Sequence, residues 1–249
     1  MIRISAVSYL NTKPFLRGLE ISDLNDISLS LDIPSECARK LLENEVDLGL
    51  IPVAVIPLLK EAHIIPGYCI GADGPVESVK LYSQVPLSEI KTILLDYQSR
   101  TSVTLVRILA SELWNISPEW KKAGIGFEET ISGSSAGVVI GDRTFTMNGT
   151  FPYEFDLAEE WKKLTGLPFI FACWVSNKSL SADFISRFSD AMELGLTKIT
   201  EVVSKESQKY VPFDVEKYLS KSLNLRLDKR GEAAIALFLG KMKELPSLP

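Results

Sequence analysis

Residues 28 to 52 read SLSLDIPSECARKLLENEVDLGLIP. Ser28 to Ile33 alternates apolar and polar positions, the period of a strand with one covered face. Pro34 and Ser35 then open a helix that carries Ala38, Leu41 and Leu42 on one side, and proline suits a first helical turn because its missing N–H has no partner there anyway. Val46 to Ile51 follows as a short strand and stops at Pro52. A strand, a helix and a strand in so short a stretch imply parallel pairing through a right-handed crossover.

The same rhythm extends outward. Ile2 to Val7 is a buried strand, broken by the polar run Ser8 to Thr12, and Pro14 marks a helix start. Ser78 opens a strand over Val79 to Tyr82. A second unit begins near Ile90: Thr92 to Asp96 is a strand, Tyr97 to Thr101 a polar loop, and a helix from about Ser102 turns Leu105, Ile108 and Leu109 inward. Gly137 to Asp142 reads as a strand that ends in a glycine turn. Leu157, Trp161 and Leu164 predict a helix before Gly166, and Leu167 to Val175 a long apolar strand. The last third is helical, with Phe184, Phe188, Met192, Leu196 and Ile199 on one long helix and Ala234, Ile235, Phe238 and Met242 on a final one. The expected fold is α/β with two lobes. Residues 1–88 and 176–249 form the first and 89–175 the inserted second, joined by two chain crossings that leave a ligand cleft able to close by a hinge.

Composition narrows the function. Of 249 residues 46% are hydrophobic and 24% charged, enough for a sizeable core. A net charge of −5 argues against nucleic acid, whose binding needs clustered Lys and Arg, and requires attraction for an anion to be arranged locally. Cys37, Cys69 and Cys173 form no CxxC pair and are expected as small buried hydrophobes. The opening residues lack the apolar run of a secretory signal, and no stretch reaches the ~18 apolar residues of a membrane span, so a cytoplasmic protein without a membrane partner is expected. His63 is the only histidine, so a histidine triad would have to use it and a metal centre would need other ligands, and a surface or capping role is expected for it. No glycine motif for a nucleotide is present, nor a flavin, pyridoxal-phosphate or haem site, so neither cofactor nor metal is expected. The sequence carries no sign of oligomeric state.

Polar loops at strand ends hold the candidate chemistry. Asn11 offers donors and an acceptor without titrating, which suits a ligand hydroxyl or carboxylate and equally an Asx-turn or helix cap. Ser78 follows Asp73-Gly74-Pro75-Val76-Glu77, a turn able to hold a side chain in place or merely to face solvent. Ser99, Arg100, Thr101 and Ser102 precede a helix, where hydroxyls, N–H groups and the helix dipole favour a carboxylate; the hydroxyls also serve as caps. Arg100 is suited both to a bidentate anion contact and to water. Gly141 lets a ligand approach the backbone, and beside it Asp142 fits a cap or a base.

Taken together, Val7-Ser8-Tyr9-Leu10-Asn11-Thr12-Lys13-Pro14, Asp47 to Val53, Asp73 to Ser78, Ser99 to Val103, Val139 to Asp142 and Gly166 to Trp174 resemble a menaquinone-biosynthesis family that shares the periplasmic-binding-protein type II fold. The ordered set spans about residues 2–178. Its opening motif and the SRTSV loop are most similar to the family branch that converts chorismate to 3-[(1-carboxyvinyl)oxy]benzoate and water without a cofactor. A sister branch makes 1,4-dihydroxy-6-naphthoate, and a non-catalytic cytoplasmic small-anion binder shares the fold. The resemblance implies binding and catalysis at Asn11 and Ser78, with Ser99 to Ser102 on a substrate carboxylate. The base it leaves open: the substrate's own side-chain carboxylate stands first, Asp142 second and His63 third.

Overall fold

The computed structural model describes residues 1–246. In chain order its first elements are β1 (Ile2–Val7), α1 (Lys13–Ile21), β2 (Ile27–Asp32), α2 (Pro34–Leu42), β3 (Leu48–Pro52) and β4 (His63–Ala72). Next come β5 (Val79–Ser83), β6 (Thr92–Leu95), α3 (Thr101–Glu112), β7 (Glu119–Lys122), β8 (Ser135–Ile140), β9 (Tyr153–Asp156) and α4 (Leu157–Thr165). The chain returns through β10 (Phe169–Ser176), α5 (Ala182–Thr197), α6 (Ile199–Glu206), α7 (Val215–Lys217), β11 (Asn224–Leu227) and α8 (Lys229–Glu244).

These strands build two sheets. One has six strands in the order β11-β4-β10-β3-β1-β2, the other five in the order β7-β6-β8-β5-β9. The opening stretch folds as its periodicity requires, with β1 parallel to both β2 and β3. In the second sheet β6 runs parallel to β7 and β8. A parallel strand followed by a helix puts the strand's carboxyl end and the helix N-terminus at one sheet edge. Each lobe therefore offers such an edge: β1 into α1, and β6 into α3.

Sheet membership differs from the expected partition at two strands. β5, inside 1–88, pairs with β8 and β9 of the second sheet. β10, inside 89–175, pairs with β3 and β4 of the first. A buried strand is an apolar run in whichever sheet it lies, so periodicity marks the strand and says nothing of its neighbours. The long helix expected from Phe184 to Ile199 is also two. The chain leaves helical geometry at Lys198 (φ −104°, ψ 13°), and α6 follows with Val202 in one buried cluster with Leu10 and Phe145.

The first core is aromatic around α1 and α5. Trp174 meets Phe15 and Phe188 edge-on, with centroids 6.2 and 5.1 Å away. Burial of each phenylalanine contributes about 2 kcal/mol. The two helices cross backbone to backbone: a Cβ on Gly18 would stand 2.0 Å from the Ala191 carbonyl oxygen. Any side chain there forces the helices apart and shifts the loop that precedes α1. Cys37, Cys69 and Cys173 are free and fully buried, as expected, and burial pushes the Cys37 thiol up to about 12.

Candidate active site

The loop after β1 is the first-lobe contribution. Leu10 to Thr12 form a single tight turn that runs straight into α1, and the Thr12 hydroxyl donates to Asn11 Oδ1 at 3.0 Å. That bond takes one of the two lone pairs of the Asn11 carbonyl and none of its NH2 protons. From the second lobe comes Ser78, one residue after Glu77, whose φ of +65° is left-handed. Such a conformation is unusual for a glutamate and is maintained by its surroundings. Glu77 N–H donates to Asp156 Oδ2 at 2.7 Å, and its carboxylate accepts from Ser222 Oγ at 2.6 Å and pairs with Lys217 at 2.9 Å. The turn aims Ser78 into the space between the lobes, where it is 1% exposed.

Opposite stands the N-terminus of α3. Ser99 Oγ accepts from the Ser102 N–H at 3.0 Å and caps the first turn. Thr101 Oγ1 accepts from Ala54 N–H at 3.2 Å and donates to the Phe171 carbonyl at 3.1 Å, which ties α3 to the first lobe. Gly141 closes the ring of residues at the end of β8, with φ +72°. A Cβ at that position would lie 2.6 Å from the Tyr9 ring, so the close approach of Tyr9 requires glycine. Tyr9 in turn donates to Gln98 Oε1 across the seam.

Asn11, Ser78, Ser99, Thr101, Ser102 and Gly141 thus line one cleft, together with Tyr9 and apolar groups from Val7, Ile70, Val79 and Phe171. The space it leaves open to a water-sized sphere is about 60 Å3, well below the ~300–1,000 Å3 of small-molecule sites. No carboxylate, histidine or amine belongs to its lining among the described residues.

Two expected site residues lie elsewhere. Arg100 is exposed and borders a separate groove with Arg107 and Lys122. Asp142 turns into the seam instead: it accepts from Leu10 N–H at 3.0 and 3.2 Å and from the Tyr210 hydroxyl at 2.8 Å. The positive φ at Gly141 is the physical cause, because it reverses the chain just before Asp142. Burial pushes the Asp142 carboxyl up, opposed by the Leu10 N–H, Tyr210 and Lys13. His63 is exposed and pairs with Glu61 at 2.6 Å.

Residues 2–244 match a protein family described as menaquinone biosynthesis. The chain belongs to this family. A chorismate dehydratase of Thermus thermophilus is 25% identical over 221 residues, which cover 81% of this chain and 80% of that protein. Among solved structures, a protein of Archaeoglobus fulgidus superposes with a TM-score of 0.76 at 16% identity, covering 98% of this chain and 96% of its own. A Candida albicans protein described as having the generic periplasmic binding protein fold follows at 0.68 and 13%, with coverage of 99% and 91%. The periplasmic aliphatic sulphonate binding protein of Escherichia coli gives 0.64 and 13%, with coverage of 99% and 94%. These likenesses show the periplasmic-binding-protein-like fold.

Sequence reasoning about this family member missed the tyrosines. Tyr218, 1% exposed, donates to Ser78 Oγ at 2.8 Å, and Tyr210 reaches Asp142. Both come from the C-terminal helical third, which had read as packing alone. Phe145 fixes them to the second lobe: its ring stacks on Phe213 at 3.7 Å and meets Tyr218 edge-on at 5.2 Å. Tyr218 is 140 positions from Ser78 along the chain, so no local spacing signals the pair. Asp96 likewise shows in the sequence only as a strand end. It is buried against Arg143, binds the Ile140 N–H at 3.0 Å and the Gln98 N–H at 2.9 Å, and so holds the α3 loop beside the end of β8.

Proposed function

We propose that this protein is a cytoplasmic chorismate dehydratase, a lyase that converts chorismate to 3-[(1-carboxyvinyl)oxy]benzoate and water within menaquinone biosynthesis, without a cofactor. The observation that carries this reading is the character of the cleft: hydroxyls and an amide around an apolar floor, with no carboxylate, histidine or amine in the lining. Family membership and the T. thermophilus relative support it.

Chorismate brings two carboxylates, a C4 hydroxyl and a C3 enolpyruvyl ether. Loss of the C3 proton and the C4 hydroxyl makes the ring aromatic, so the driving force lies in the substrate. The protein's task is to select a conformation, hold the leaving hydroxyl and exclude water. In this reading Ser99 and Ser102 at the α3 N-terminus anchor a carboxylate, helped by the helix dipole. Asn11 and Ser78 hold the ring oxygens. The substrate's own side-chain carboxylate takes the C3 proton, which fits a wall without a base.

Pure protein incubated with chorismate is expected to yield a product lighter by one water with a new benzoate absorbance, read by mass spectrometry and ultraviolet spectra. Unchanged chorismate in the presence of folded protein sinks the reading. A second reading, an anion binder without turnover, draws on the binding-protein fold of the structural relatives. Tight chorismate binding with no product selects it.

A further inference from the structure

Ser78 does not meet the cleft alone. Behind it the Tyr218 hydroxyl lies at 2.8 Å, completely enclosed by Leu10, Phe145, Val215 and Leu219. A serine hydroxyl has one proton and two lone pairs, and a phenol, being more acidic, is the stronger donor of the two. Asn11 borders the same phenol. Its carbonyl accepts from Thr12, and its NH2 group is a donor it can offer the phenol oxygen. The bond between the two hydroxyls runs from the phenol to Ser78 Oγ. Ser78 Oγ, filled from behind, then has its proton to give, and the cleft is the side left for it.

We propose that Tyr218 is a positioning residue that fixes Ser78 as a hydrogen-bond donor to the oxygen leaving C4. This rests on the dehydration reading and assigns the sense of one hydrogen bond within it. The C3–H bond breaks, its proton going to the substrate carboxylate and its electron pair into the new ring double bond. The C4–O bond breaks with its pair on oxygen, where the Ser78 proton meets the developing charge. That oxygen takes up the carboxylate-held proton and departs as water. Ser78 and Tyr218 finish with the protons they began with. Burial holds the Tyr218 phenol well above its ordinary range, against the pull of Ser78 and Asn11, so it stays a donor at neutral pH.

The test compares Tyr218→Phe, Ser78→Ala and the double variant by steady-state turnover of chorismate, with thermal melts alongside. Tyr218→Phe is expected to lower kcat by about 10-fold or more, the cost of one mispointed buried hydrogen bond, with KM within about threefold. In the Ser78→Ala background the same change is expected to do nothing more. Unchanged kcat in Tyr218→Phe, or losses that multiply in the double variant, overturn the proposal and leave the dehydration reading standing. If the unmodified protein leaves chorismate intact, both fall together. Should Tyr218→Phe melt early, 3-fluorotyrosine at position 218 keeps the ring and hydroxyl with a more acidic proton. The stronger donor behind Ser78 keeps kcat within about threefold of the unmodified protein or raises it, and a tenfold fall overturns the proposal.

Discussion

Ser78 and Asp142 stand side by side at the end of the β5–β8 ladder, where Gly141 N–H donates to the Ser78 carbonyl at 2.9 Å. Each follows a residue with left-handed φ, and each meets a tyrosine hydroxyl of the C-terminal third at 2.8 Å. Their side chains part ways: Ser78 lines the cleft, whereas Asp142 binds the backbone of the other lobe. A carboxylate is all acceptor and gains most from fixed N–H donors. A hydroxyl both accepts and donates, and one filled from behind still has a proton to offer. The pair illustrates a wider division. Uncharged polar groups form the cleft wall, and carboxylates stand one layer back: Asp96, Asp142 and Asp156 hold loop backbones, and Glu77 holds Ser222 and Lys217.

The largest expected effect falls on the wall. Ser78→Ala should lower kcat for chorismate about 10²–10³-fold, the cost of losing one preorganised donor, with little change in KM. A loss under about threefold would remove the special place given to Ser78. Behind the wall the damage should be to stability. Asp96→Asn takes the charge from the side chain that pairs with Arg143 and caps Gln98 and Ile140, and should lower unfolding free energy by about 3 kcal/mol in urea titrations. Turnover per folded molecule should survive.

Asp142→Asn sharpens the contrast. The shape is kept, and kcat should stay within about threefold, because a general base would contribute roughly 10²–10⁴-fold. A fall as deep as that of Ser78→Ala would make Asp142 the base and break the comparison. The same variant carries a pH signature. The folded-state pKa of Asp142 is raised, so its stabilising contribution is complete below the ordinary aspartate range and is lost as pH rises through the folded value. Asparagine does not titrate. The stability of the unmodified protein relative to Asp142→Asn should therefore be greater in mild acid than at neutral pH, and urea midpoints that move the other way reverse the sign. Arg100→Ala should do least: with its side chain outside the cleft, kcat/KM should change by no more than about twofold. A tenfold rise in KM would return Arg100 to the substrate.

By itself the sequence determined the elements of the opening unit and their parallel sense, but not β4, β7, β9 and β11 or the antiparallel pairing of β5 and β10. The run from Ser28 to Pro52 has a period of two, then of 3.6, then a solid apolar run, and those periods are local consequences of backbone geometry. It also determined which loops carry polar side chains at strand ends, and six of the eight residues expected at the site do line one cleft. Tertiary structure alone decided the rest. Which sheet takes β5 and β10 depends on partners far along the chain. The direction of Asp142 depends on the φ of Gly141 and on the arrival of Leu10 N–H from the other lobe, neither of which leaves a mark in local composition. Tyr218 reaches Ser78 because the Phe145 cluster gathers the C-terminal segment against the second lobe. Periodicity reports which face of an element is buried; the partner it is buried against, and hence the chemistry that partner adds, is set by long-range packing.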